Sequence, residues 1–389
     1  MITEVDARLL YKFAWNFGWK GTRAIARYQK RMKKGEHFPA FLFLSVTNNC
    51  NLRCQGCWVT PTNPVQNMSL QTLDKIILEA KRFGSYFFGI LGGEPLLYKE
   101  LLDIFERHPD CYFILFTNGT LLTEEIVDKM HQIGNVSPLI SIEGNEIVSD
   151  TRRGGKKVYS RTLKGLELCT QKGLITGVAT SVCKSNIDDL ATESFVNQVA
   201  ELGAHYFWYY IYRPVGPQPM PELALSREEV IRLRKFMVDI RAKAPLLIVD
   251  SYWDHKGSAL CPAAVGIGHH INANGDVELC PPIQFAGENI QDYNSLSDIF
   301  NQSKLFKQFR TQVKDTTRGC VIMDNPELLE KIVTDTDAYD SSGRGTALHE
   351  LRSNSRCQSH HVEGEEIPET YWVYKFAKKN WFWGFGAYG

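Results

Sequence analysis

Asn49-Cys50-Asn51-Leu52-Arg53-Cys54-Gln55-Gly56-Cys57-Trp58 carries three cysteines in the order CxxxCxxC. Three thiolates at this spacing can ligate three irons of a [4Fe–4S] cluster and leave the fourth iron without a protein ligand. Cubane clusters that only carry electrons normally take four cysteines. A three-cysteine set therefore offers an open coordination position, as a catalytic metal site does. Structural zinc and buried thiols are the competing readings. Structural zinc wants four ligands, commonly as two paired sets. Here the next cysteine is Cys111, inside a strand-like run, and no His falls between Cys57 and Glu94.

Upstream lies Phe41-Leu42-Phe43-Leu44-Ser45-Val46-Thr47, a short apolar run of strand formers. Downstream, Tyr86-Phe87-Phe88-Gly89-Ile90-Leu91 reads as a second strand and ends in Gly92-Gly93-Glu94-Pro95. Glycines let a backbone approach a ligand closely, and Glu94 supplies a charged acceptor for an ammonium. Cysteines after a first strand and a GGE turn after a second resemble the radical S-adenosylmethionine (SAM) enzymes. The resemblance implies that the open iron binds SAM and that Gly92, Gly93 and Glu94 hold its methionine amino group. By the same resemblance, Asn118, Ser141, Glu143 and Ser181 are cofactor-binding groups at later strand ends, and Arg153, followed by Gly154, clamps the SAM carboxylate. Each of these polar residues also reads as a turn former or helix cap. The family's aromatic residue before the third cysteine is replaced by Gly56, with Trp58 after the cysteine. Adenine contact is then expected from backbone or from a later strand end.

Strand-like and helix-like segments alternate from about residue 41 to 213. Helices are expected over 70–82, 99–106, 124–133, 162–170 and 190–202, and further strands over 112–116, 138–142, 176–182 and 206–212. The alternation predicts an α/β fold with a parallel sheet. Six such units fall short of a closed eight-stranded barrel, and the resemblance implies a partial (β/α)6 radical SAM barrel. Ligands belong at the C-terminal strand ends. Tyr209, Tyr210, Tyr212 and Arg213 end the sixth strand, where alternate side chains must point away from the cavity. No catalytic acid, base or radical relay is assigned.

Beyond residue 244 the pattern changes. Cys261 is followed by a Gly/His run, the hairpin turn Asn274-Gly275 and Cys280. This layout resembles the opening of the SPASM and twitch extensions, which bind auxiliary clusters. Only Cys320 and Cys357 lie further downstream. Four cysteines match one cubane, so Cys261, Cys280, Cys320 and Cys357 are expected to hold one auxiliary [4Fe–4S] cluster. A cluster with one open iron and unliganded cysteines are the alternatives. Cys111, Cys169 and Cys183 read as packing residues.

From Arg8 to Lys34 there are nine Lys/Arg and no Asp/Glu, with Val5, Leu9, Phe13 and Phe17 at helical spacing. Gly18 and Gly21 are expected to divide this segment into two helices. A basic amphipathic helix with Trp15 and Trp19 can lie on an anionic membrane or pack on the barrel. The stretch 371–385 is similarly rich in aromatics. The division expected is 1–38 basic helical segment, 39–243 barrel, 244–365 auxiliary-cluster domain and 366–389 aromatic tail.

Hydrophobic content of 43% and charged content of 23% are those of a globular protein. Zero net charge gives no field for nucleic acid. Ten cysteines without a regular framework, and an acidic opening rather than a signal peptide, predict a cytoplasmic protein, with membrane association as an added possibility. The resemblance implies an enzyme that accepts an electron from a flavodoxin or ferredoxin and makes a 5′-deoxyadenosyl radical, which takes hydrogen from a substrate. A lipid or other small molecule is favoured and a ribosomal peptide is the alternative. The reading of another class is a non-catalytic Fe–S electron carrier or scaffold.

Overall fold

A computed structural model describes residues 5–380 apart from Ser251 and Leu260. Its centre is a run of strands: β1 (Phe41–Thr47), β2 (Phe87–Gly92), β3 (Tyr112–Thr117), β4 (Val136–Ser141), β5 (Gly177–Val182) and β6 (Tyr206–Ile211). Each pairs in parallel with the next. These strands are buried along nearly their whole length, as expected for a sheet with a filled interior and helices outside. The helices start where the sequence offers caps. Ser69, Thr123, Asn145 and Thr192 each accept a backbone N–H in the first turn of the helix that follows.

Three elements were not legible in the alternation. A helix at Glu146–Arg153 follows β4, and another at Arg227–Ile240 follows β6, started by a Ser226/Glu229 capping box. A seventh parallel strand, β7 (Leu247–Val249), then pairs with β6. At only three residues it is too short to show a period.

The C-terminal part adds β8 (Gly268–Ile271), β9 (Asp276–Cys280), β10 (Ile283–Asn289) and β11 (Tyr339–Asp340). Asn274-Gly275 does turn the chain, and β8 and β9 pair antiparallel. Cys261 lies outside that hairpin, at the start of the short helix Pro262–Val265. β8 also pairs in parallel with β1, so one eleven-stranded sheet runs β11-β10-β9-β8-β1-β2-β3-β4-β5-β6-β7.

The basic N-terminal segment is one continuous helical rod from Ala7 to Met32, with a π-helical stretch at Phe13–Trp19 where two helices were expected. Val5, Leu9, Phe17, Ile25 and Tyr28 are buried in the core. Its cations bond backbone carbonyls at the end of the barrel where the strands begin. Arg8 donates to His131 and Gln132, Lys12 to Ile133, Lys20 to Asp110, and Arg31 to Phe83 and Phe38. Several of these carbonyls end the helices Glu124–Ile133 and Leu70–Arg82, where orphan C=O groups and the helix dipole favour positive charge. The outward face carries Tyr11 at 66%, Trp15 at 48% and Trp19 at 51% exposure.

At the other end, helix Trp372–Asn380 docks through a buried charge cluster. Lys378 reaches Asp250 at 2.8 Å and Glu369 at 2.9 Å. Arg241 pairs with the same two carboxylates, and Arg234 lies 2.9 Å from Glu369. Trp381, Phe382, Trp383 and Phe385 of the aromatic tail lie outside the described residues. Among the described residues, no helix is long and apolar enough to cross a membrane.

Candidate active site

The cysteine loop leaves β1 and is pinned on three sides. Gly93 N–H donates to Thr47 O at 2.9 Å, and Glu94 N–H to Asn49 O at 2.7 Å. A methyl on Gly92 would lie 2.2 Å from Thr47 O, and one on Gly93 2.1 Å from Asn49 O. The two glycines thus let the end of β2 close against the cysteine loop. From β3, Asn118 Nδ2 donates to Asn51 Oδ1 at 2.9 Å. From the helix after β4, Arg152 O accepts from Gln55 N at 2.8 Å. Leu52 N–H reaches Cys50 Sγ at 3.4 Å and Arg153 Nη1 reaches Cys54 Sγ at 3.7 Å.

Cys50, Cys54 and Cys57 line a cavity of about 420 Å³, within the usual range for ligand sites. Gly92, Gly93, Asn118, Ser141, Glu143, Arg153 and Ser181 line it too. Glu94 does not. It is fully buried just beneath, where its carboxylate accepts from Thr117 Oγ1 (2.7 Å), Asn118 N (2.8 Å) and Leu96 N (3.2 Å). Burial raises its pKa against these donors. Arg153 Nη2 is paired with Glu143 at 2.5 Å. Burial alone would lower its pKa, but Glu143 and the neighbouring thiols outweigh it, and the net shift is upward. A carboxylate held by Arg153 would therefore share it with Glu143.

Of the four C-terminal cysteines, Cys261, Cys280 and Cys320 line the same cavity. Burial, together with the neighbouring thiols, pushes the Cys261 thiol up to about 11 and Cys280 well above its ordinary value. Cys357 is not in the lining, though it lies near Cys320. Trp208 and Tyr210 face the cavity whereas Tyr209 turns outward and donates to Leu190 O; past Tyr210 the expected alternation fails, because Ile211, Tyr212 and Arg213 all line the cavity where the strand ends at Ile211. Arg213 stacks 5.3 Å from the Tyr252 ring. Sequence reasoning missed Tyr252 and His360, which also line the cavity. The run Cys357-Gln358-Ser359-His360 was a signal for the second.

All ten cysteines are free. Among the described residues, no three His, Cys, Asp or Glu side chains converge as ligands of a single ion. A cubane spreads its thiolates over separate irons, so dispersed thiols around a shared cavity suit a cluster better than zinc. The donor chemistry of both cysteine groups fits iron–sulfur clusters.

Residues 44–195 match the family model described as Radical SAM superfamily. The chain is similar to Fe-coproporphyrin III synthase of Methanosarcina barkeri (strain Fusaro / DSM 804), 26% identical over 54% of this chain and 55% of that protein. That match spans only about half the length of the relative. It is also similar to sporulation killing factor maturation protein SkfB of Bacillus subtilis (strain 168), 24% identical over 76% of this chain and 71% of that one. Among solved structures, Streptococcus suis SuiB bound to S-adenosylmethionine superposes with a TM-score of 0.61 at 18% identity, covering 72% of this chain and 70% of SuiB. At that identity the likeness is one of fold.

Proposed function

We propose that the chain, whose residues 44–195 match the Radical SAM superfamily model, cleaves SAM reductively at a cluster on Cys50, Cys54 and Cys57. The observation that carries this is the single cavity lined by those thiols, the Gly92-Gly93 turn and the strand-end polar groups. Cys50, Cys54 and Cys57 would hold a [4Fe–4S] cluster, which would supply the electron for reductive cleavage of the SAM sulfonium bond to C5′. The chain's own residues do the positioning. Gly92, Gly93 and Asn118 bound the methionine end, and the Arg153–Glu143 pair offers one charge of each sign to the zwitterion. The strand-enclosed interior excludes water. Residues 39–243 form the cleaving unit in this reading, and residues 244–365 hold an auxiliary cluster on Cys261, Cys280 and Cys320 with a fourth group. A flavodoxin or ferredoxin is the proposed electron donor.

The inner wall is built from Phe41, Phe43, Phe116, Trp208 and Tyr210. That lining favours an apolar or flat small-molecule substrate, as the named synthase relative also suggests. A peptide is the second reading, supported by the SkfB relative, which matches more of the chain. Membrane contact rests on the exposed Tyr11, Trp15 and Trp19.

The test is anaerobic reconstitution, reduction with dithionite and assay of 5′-deoxyadenosine from SAM. The expected result is formation by the wild type and none by Cys57→Ala. A protein that holds iron on these cysteines yet leaves SAM intact would be the electron carrier instead.

A further inference from the structure

We infer that His360, and not Cys357, is the fourth protein ligand of the C-terminal iron–sulfur site, giving a Cys261/Cys280/Cys320/His360 set open to the cavity. The inference rests on the auxiliary-cluster reading above.

His360 is 1% exposed and lines the cavity, yet neither ring nitrogen has a hydrogen-bond partner. Leaving a buried polar group unsatisfied costs about 1–3 kcal/mol, and such a group calls for an explanation, an ion among them. The ring is held in place. Its backbone carbonyl accepts from Trp253 Nε1 at 2.8 Å, and its face lies 4.3 Å from Tyr252. The imidazole therefore keeps one orientation without using its own nitrogens.

That orientation puts the ring beside the residue that precedes Cys320. A methyl built on Gly319 would sit 3.4 Å from His360 Nε2, so the ring edge runs beside the Gly319–Cys320 backbone. The Asp324 carboxylate draws the two loops together. It accepts from Ser359 Oγ at 2.8 Å, while Asp324 N–H donates to Cys320 O at 2.9 Å. Arg213 lies 5.3 Å from the Tyr252 ring, against which His360 stacks, and lines the cavity beside Cys320.

Cys357 lacks these features. It is half-buried, does not line the cavity, and sits beside Asp324, whose negative charge opposes a thiolate. Imidazole does replace thiolate on iron in some clusters, where it raises the potential. A neutral ligand here, with Arg213 adjacent, would make the site a better electron acceptor than a four-thiolate cubane.

The experiment uses the full chain carrying Cys50→Ala, Cys54→Ala and Cys57→Ala, so that only the C-terminal site binds iron. It is reconstituted anaerobically, counted for iron and examined after reduction by pulsed EPR, with natural-abundance or 15N-labelled histidine. The inference expects about four irons, as one cubane requires, and a nitrogen coupling that changes with the histidine isotope. The coupling should vanish in His360→Ala and in His360→Cys, with His360→Cys keeping its iron. Cys357→Ser should keep both iron and coupling. Loss of iron in Cys357→Ser with iron retained in His360→Ala would overturn it. So would a filled cluster with no histidine coupling, which would leave His360 as a substrate-facing group. No iron in this background would overturn the auxiliary-cluster reading itself, and this inference with it.

Discussion

A methyl group on Gly56 would sit 2.1 Å from Tyr212 Oη and 2.6 Å from its ring, and Gly56 has φ +63°. The aromatic absent from the cysteine loop is thus answered by one that arrives from the end of β6, with Arg152 on its ring at 5.6 Å. Gly56→Ala is expected to displace Tyr212. The cost should be about 1–3 kcal/mol for overpacking, plus about 1–2 kcal/mol for the left-handed backbone. Adding Tyr212→Ala should recover the first part only, a coupling that a double-mutant cycle in urea would measure. At this scale the sequence was informative where partners are local. The cysteines and Gly92-Gly93 declare themselves by spacing, and they line one cavity. Glu94 was read as facing the ligand, and its burial under Thr117 and Asn118 depends on how β2 meets β3. Tyr212 against Gly56 depends on a contact across more than 150 residues, which no spacing encodes.

The alternation that gave six strands and five helices was legible because each strand is a continuous apolar run. The elements that escaped are short, like β7, or polar, like Glu146–Arg153. The N-terminal rod shows another limit: amphipathic periodicity says that a face is buried but not against what. Its cations turn out to terminate helices of the barrel. Lys12→Ala, which frees Ile133 O at the end of Glu124–Ile133, should lower stability by about 0.3–1 kcal/mol. A matched change at the exposed Lys33 should do nearly nothing, and chemical denaturation would compare them. Deleting residues 1–34 would uncover the core that Leu9, Phe17 and Ile25 close, so loss of folding would confound any liposome assay. Trp15→Ser with Trp19→Ser is the cleaner variant. Unchanged flotation with anionic vesicles in that double variant would remove the membrane reading.

For the whole molecule, the buried cluster of Arg234, Arg241, Lys378, Asp250 and Glu369 ties the C-terminal helix to the barrel flank. Burial alone would raise Glu369, but Lys378, Arg241 and Arg234 outweigh it and hold it at about 2. Its folded pKa lies below the ordinary value of about 4.3. The stabilisation is therefore present above that value and lost as pH falls from about 4.3 toward 2. Tryptophan fluorescence in guanidinium should show the unfolding midpoint falling across that window. Glu369→Gln should flatten the dependence and cost about 3–5 kcal/mol at neutral pH, because it strands buried cations. A comparable slope in wild type and variant would exclude Glu369 as its source. The parallel pairing of β8 with β1 reaches further, to the order of synthesis. A ribosome delivers β1 more than two hundred residues before its neighbour β8. Until Gly268–Ile271 emerges, β1 is an open edge flanked by phenylalanines, the kind of surface on which nascent chains associate. Cutting the gene between the two expected domains should therefore yield an aggregating barrel, and co-producing the missing half should rescue its solubility.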